Sequence, residues 1–246
     1  MNIIRFRDAA GHISYGEQID EQTARLINGN ILEHFQVTNQ TATIEKLLAP
    51  LLPPTILCIG LNYRAHAEET GAKLPEHPVL FIKASNALNH PQDPIVIPRV
   101  ATDEVDYECE LAVVIGKPAK NVSQQEALDY VLGYTCANDV SARRWQKNGG
   151  GKQWCRGKSF DTFCPIGSCV SGDLDVSDLR ITTKVNGEIK QDGRTSQMIF
   201  DIPFLISYIS NQMTLNRGDI IATGTPSGVS KLSNGDLCEV EIEGIG

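Results

Sequence analysis

Two glutamates, Glu108 and Glu110, alternate with Tyr107 and Cys109 at the head of the apolar run Leu111-Ala112-Val113-Val114-Ile115. A strand turns every second side chain to one face, so these carboxylates share a face about 7 Å apart. Like charges leading into a core are expensive unless something neutralises them. A hard divalent cation held by oxygen ligands would do so, and a wet strand end with both acids in water is the alternative. Asp139 closes another strand-like run, Gly133 to Asn138. Three carboxylates with waters suit octahedral Mg²⁺ or Mn²⁺, whereas zinc would favour His and Cys. On its own, Asp139 equally suits the cap of a helix beginning in Ser141-Ala142-Arg143-Arg144-Trp145.

A second set is basic. His66 and Glu69 are three apart on a short helix after Gly60, and therefore share its face. A carboxylate there can orient the imidazole and raise its basicity, making a water-activating dyad; an exposed surface pair is the plainer use. Lys158, in Arg156-Gly157-Lys158-Ser159-Phe160-Asp161, has apolar and aromatic company. It suits a substrate carboxylate or an enolate oxygen, or else it is a solvated loop lysine. Thr223-Gly224-Thr225-Pro226-Ser227-Gly228 is a tight turn able to offer backbone N–H groups and the Thr225 hydroxyl to an anion. No phosphate-binding loop, Gly-x-Ser-x-Gly elbow or His-Glu-x-x-His zinc helix is present.

The elements that must position these groups are mostly strands. Strand patterns cover Ile3 to Phe6, His12 to Tyr15, Thr55 to Ile59, Val79 to Ile82, Ile95 to Ile97, Thr182 to Val185, Ile220 to Thr223 and Leu237 to Ile242. Turns are marked by Asn186-Gly187 and Asn234-Gly235. Helices are expected from Glu21, from Asn62 (as cap) to Gly71, over Ser123 to Leu132 with a Ser123/Glu126 capping box, and over Met198 to Ser210. Glu68 to Pro78 is expected to act as a lid, and Asn148 to Lys152 as a mobile glycine-rich loop. The pattern predicts a predominantly β (α+β) fold with a few peripheral helices. Leu51-Leu52-Pro53-Pro54 is expected to separate a small N-terminal α/β unit, 1–52, from the main body, 53–246. The last residues read as a strand running into a turn, as if a final strand were missing.

With 246 residues and 41% hydrophobic content, the chain can bury a large core. A net charge of -8 argues against binding nucleic-acid backbones. No apolar stretch is long enough to span a membrane, and no signal peptide is evident, so no membrane partner is expected. Seven cysteines without Cys-x-x-Cys spacing suit reduced thiols in a cytoplasmic protein.

These segments resemble the fumarylacetoacetate hydrolase family, in the family's own order. They are Gly60-Leu61-Asn62-Tyr63 with His66, Glu108-x-Glu110-Leu111, Asn138 to Arg143, Lys152-Gln153-Trp154 before Gly157 to Asp161, Val185 to Glu188, Gly218-Asp219 and Gly224-Thr225-Pro226. The likeness spans about residues 55 to 246 and is greatest to short bacterial-type members and their domain-containing relatives. It implies a mixed β-sandwich roll, usually a homodimer, with Mg²⁺ or Mn²⁺ (Ca²⁺ is a further option) on Glu108, Glu110 and Asp139. It further implies His66, Glu69 and Lys158 as catalytic groups, with Arg143, Gln153 and Thr225 on the substrate. Some relatives carry an arginine where this chain has Leu61. The activity so implied is C–C bond hydrolysis of β-diketo acids such as 3-acylpyruvates, by way of an enolate that the cation stabilises. Oxaloacetate decarboxylation, or isomerisation of hydroxymuconate-type diacids, is the alternative on the same site.

Overall fold

A computed structural model describes residues 1–101, 104–147 and 151–246. The strands are β1 Asn2–Arg7, β2 Ile13–Gln18, β3 Thr23–Gly29, β4 Phe35–Thr43, β5 Lys46–Leu48, β6 Ile56–Gly60, β7 Val79–Lys83, β8 Leu88–Asn89 and β9 Val105–Asp106. They continue with β10 Cys109–Ile115, β11 Val131–Asn138, β12 Ser141–Ala142, β13 Cys164–Ser171, β14 Arg180–Val185, β15 Glu188–Arg194, β16 Ile220–Ala222 and β17 Cys238–Ile242. The α-helices are α1 Arg64–Glu69, α2 Arg143–Gln146, α3 Trp154–Lys158 and α4 Ile202–Gln212.

Ten strands run in the order β4-β3-β2-β1-β13-β11-β10-β16-β6-β7, with β5 on β1 and β8 on β13 completing a 12-stranded sheet. Its pairings are antiparallel except β16–β6 and β13–β8, so the sheet is mixed. Cys109, Leu111, Val113 and Ile115 of β10 face one core, shared with Leu205, Ile206 and Ile209 of α4 and Ile181 of β14. Ala112 and Val114 face the other core, which contains Ile3 and Ile27 as well as Ile56 and Cys58. Strands distant in the sheet order thus share that second core, which requires the sheet to curl into a roll. A separate β15-β14-β17 sheet packs on the first face. The mostly β expectation therefore holds.

Several local expectations fail. No helix starts at Glu21: Thr23–Gly29 pairs with β2 and β4, and residues 1–48 hold only strands. Since β1 also pairs with β13, the sheet runs through the Leu51–Pro54 break. Ser123 to Leu132 yields only a 3₁₀ turn at Ala127–Tyr130. There Ser123 Oγ donates to the Glu126 side chain (2.6 Å) instead of capping a backbone, and β11 takes Val131 onward. Ile95 to Ile97 joins no sheet, and Val96 N–H donates to Thr162 Oγ1 (2.8 Å). The Met198–Ser210 helix starts later, at Ile202, because Asp201 caps it by accepting from Phe204 N–H (2.9 Å). Of the glycine-rich segment, Asn148, Gly149 and Gly150 lie outside the described residues. No helix is long and apolar enough to cross a membrane among the described residues.

Candidate metal centre and its acid–base wall

The register of β10 on β11 builds the acidic cluster. Cys109 pairs with Asn138 and Asp139 N–H donates to Glu108 O (2.9 Å), so Glu108 and Asp139 stand opposite one another. Opposed residues of an antiparallel pair share a face, and Glu110 is the next residue on that face of β10. The Asn138 side chain accepts Glu108 N–H (3.0 Å), tying the strand end where the ladder stops. The three carboxylates are buried, with one oxygen of each within 4.8 Å of the others. Asp139 is not a helix cap: α2 begins after Ala142, and Asp139 turns inward.

Cations surround two of the three acids. Lys158 Nζ donates to Glu108 Oε2 (2.7 Å) and Asp139 Oδ2 (2.5 Å). Lys83, fully buried at the end of β7, donates to Asp139 Oδ1 (2.5 Å) and Val140 O (3.1 Å). Arg143 reaches Asp106 Oδ2 through Nε (2.7 Å) and Gln146 Oε1 through Nη1 (2.8 Å). Its Nη2 meets Glu108 Oε1 at 2.6 Å, a charge contact off the hydrogen-bond line. Arg143 therefore braces Glu108 and is itself buried. Lys158 and Arg143 hold Glu108 well below the usual carboxylate range despite the opposing desolvation. Glu110 differs: its recorded partner is Gly224 N–H (2.9 Å), and it forms no ion pair among the described residues. Burial, then the neighbouring Asp139 and Glu108 charges, push its carboxyl well above the ordinary value. An all-oxygen donor set with one uncompensated acid fits a hard divalent cation, which Glu108, Glu110 and Asp139 would hold.

The opposite wall is less tightly tied. α1 places His66 inward at 6% exposure, with Nδ1 at 3.4 Å from Glu69 Oε2. Burial lowers the His66 pKa, while Glu108 and the Glu69 hydrogen bond oppose that shift. Gly71, at φ 65, ends α1: Gly71 N–H bonds Glu68 O (3.1 Å) and Ala72 N–H bonds Ala67 O (2.9 Å). Asn62 is not the cap. Its amide donates to Phe200 O (3.0 Å) and Thr223 O (2.7 Å), locking the helix start to the 223–228 turn. Gly224 sits at φ 99 with its Hα side on Asn62, where a Cβ would come within 2.7 Å of the Asn62 Cβ. Gly228 N–H then donates to Glu69 Oε1 (3.0 Å), so this turn touches both Glu110 and Glu69.

Lys158 reaches the cluster because α3 docks through Trp154. A Cβ on Gly60 would meet the Trp154 ring at 2.5 Å, so only glycine admits it. Trp154 packs edge-on against Phe81, whose ring lies 5.0 Å from Lys158 Nζ. Gln153, at the N-terminal end of α3, is exposed beside Trp154, Cys155 and Arg156 along a shallow pocket. Thr225 is buried at the turn. Sequence reasoning passed over Lys83, because a lysine closing an apolar strand reads as a solvated end; burial alone reveals it.

Residues 55–246 match the family described as fumarylacetoacetate (FAA) hydrolase C-terminal. A Dictyostelium discoideum protein described as a fumarylacetoacetate hydrolase domain-containing protein 2 homolog is 47% identical over 231 residues, covering 85% of this chain and 75% of that one. A mitochondrial oxaloacetate tautomerase of Xenopus laevis is 46% identical over 211 residues, covering 81% of this chain and 66% of that protein. The structure of a 2-hydroxyhepta-2,4-diene-1,7-dioate isomerase from Mycobacterium marinum superposes with a TM-score of 0.89 at 40% identity, over 100% of this chain and 96% of that one. The chain belongs to the fumarylacetoacetate hydrolase family, whose fold and ordered motifs it carries.

Proposed function

We propose that this protein is a divalent-cation-dependent enzyme that moves a proton on short 2-keto diacids, interconverting their keto and enol forms or shifting the enol double bond. The observation carrying this reading is a buried His66, paired with Glu69 and within the field of Glu108, together with an acidic triad that fits a hard cation. A bound cation supplies Lewis-acid stabilisation of negative charge growing on the substrate's 2-keto oxygen.

The protein residues do the rest. Glu69 at Nδ1 sets the imidazole tautomer, leaving the Nε2 lone pair as the base that takes the C3 proton. Because burial lowers its pKa, His66 is unprotonated at neutral pH and ready to accept. The same Nε2–H then returns the proton to the enolate oxygen or to a vinylogous carbon. Lys158 keeps positive charge beside Glu108 and Asp139, and Thr225 offers a hydroxyl to a substrate oxygen. Similarity to the Xenopus tautomerase and the mycobacterial isomerase supports proton transfer as the lead.

Hydrolysis of a 3-acylpyruvate, the reaction expected from the sequence, is the second reading. Glu69 is 38% exposed, so the dyad has a solvent side from which a water can be activated against a distal carbonyl. The test is enol-oxaloacetate ketonisation and C3 deuterium exchange with Mg²⁺ or Mn²⁺, alongside pyruvate release from acetylpyruvate. Fast, chelator-sensitive ketonisation is expected. Pyruvate release without ketonisation would put the second reading first, and an inert protein would overturn both.

A further inference from the structure

Gln191 of β15 is wholly buried and makes four hydrogen bonds that join the small sheet to the metal-side strand and to the 223–228 turn. Its Oε1 accepts from Cys109 N–H (3.0 Å), between the two glutamates, and from Thr183 Oγ1–H (2.8 Å). Its Nε2 donates to Pro226 O (2.8 Å) and to Thr225 Oγ1 (2.8 Å). The amide has one orientation only. Turned over, it would set N–H against the Cys109 N–H and C=O against the Pro226 carbonyl, leaving buried polar groups unmatched.

That orientation fixes the polarity of Thr225. A hydroxyl that accepts from Gln191 keeps its own hydrogen for another partner, and none is recorded for it among the described residues. We infer that Gln191 is a positioning residue that makes the Thr225 hydroxyl a donor toward the substrate, selecting an anionic acceptor oxygen at that point and rejecting a donor group there. This rests on the proposed keto-diacid reading, which puts substrate against Thr225.

Gln191→Glu tests it at constant shape. The Pro226 carbonyl can only accept, so the single proton of an acid form goes there, and an ionised form has none. In both forms Thr225 must donate back to residue 191 and loses its donor to substrate. The expected result is KM for oxaloacetate raised about 10- to 100-fold, the range for a hydrogen bond to a charged group. The expected Mg²⁺ affinity by calorimetry changes less than KM does, because Gln191 bonds the Cys109 backbone and none of the three carboxylates. In a Thr225→Val background the Gln191→Glu change should add little, since the hydroxyl it controls is gone.

A KM unchanged in Gln191→Glu, or an equal penalty with and without the Thr225 hydroxyl, overturns the inference while the keto-acid reading stands. If the unmutated protein turns over no keto acid, that reading fails, and neutron diffraction of the deuterated protein decides the rest. Deuterium on Thr225 Oγ1 pointing away from Gln191 supports the donor assignment, and deuterium pointing at Gln191 overturns it.

Discussion

The two walls of the site are built on opposite terms. On the metal side, Glu108 and Asp139 are held by Lys158, Lys83 and Arg143 at 2.5–2.7 Å, and every one of these side chains is buried. On the acid–base side, a six-residue helix without a side-chain cap carries His66, whose partner Glu69 stands off at 3.4 Å and is 38% exposed. The first wall fixes charges before substrate arrives, which is what electrostatic stabilisation requires. The second, on the proposed reading, is where a proton is taken up and returned, and it is tied by fewer charges: Glu69 is held by Gly228 N–H and stands 3.4 Å from His66.

The sharpest way to break this contrast is Glu110→Ala. It removes the acid that lacks a counter-ion, so divalent-cation binding and turnover should both be lost, turnover by about 10³-fold or more. The metal-free protein should behave in the opposite sense. Glu110 has a folded pKa raised above its unfolded value, so its ionisation destabilises the fold as pH rises through that range. Removing it should raise the metal-free Tm at neutral pH while abolishing the Tm gain on adding Mg²⁺. Calorimetric Mg²⁺ binding retained at normal strength would end the ligand assignment.

His66→Gln breaks the other wall. A lost general base is expected to lower proton transfer by about 10²- to 10⁴-fold, with cation affinity close to that of the parent. The pH profile supplies the sign. Protonation removes the base, and burial depresses the His66 pKa, so activity should persist below pH ~6.5 before its acid limb falls. An acid limb above that point, or one that survives in His66→Gln, would mean another group is the base.

Lys83→Met separates structure from chemistry on the rigid side. It strands Asp139 Oδ1 in the core, and breaking a buried ion pair is worth about 3–5 kcal/mol. At roughly 2–4 °C per kcal/mol for a chain of this size, the Tm should drop by about 10 °C. The melting curve checks it, and a drop under about 2 °C would show that Lys83 is replaceable.

What the sequence disclosed follows the same division. The triad and the dyad were visible as candidates because period-two alternation, a strand-closing Asp and i,i+3 spacing are local patterns. Those patterns equally fit a wet strand end, a helix cap and a surface pair until the family resemblance joined them. Lys83 and Gln191 were not visible, since their meaning comes from strands brought together across 56 and 34 residues. Ser123 and Glu126 misled for a related reason. A local capping signal was overridden once Val131 was drawn into the sheet beside β10. Of the N-terminal strands only β1 joins β13, far along the chain; β2, β3 and β4 pair in sequence order, and the helix expected from Glu21 gives way because Thr23–Gly29 is drawn into that meander.

Glu69→Gln makes the smallest change and probes how the loose wall is tuned. The amide keeps an oxygen for Gly228 N–H, so the 223–228 turn should remain docked and the Tm close to that of the parent. What is lost is the carboxylate charge at His66 Nδ1, which both orients the ring and raises its pKa. Two effects should therefore appear together. The plateau rate should fall by about tenfold, the size of a lost orienting partner. The acid limb should move to lower pH, because desolvation then acts on His66 with less opposition. A rate loss without that shift would mean Glu69 serves only to hold the turn, with no part in setting the base.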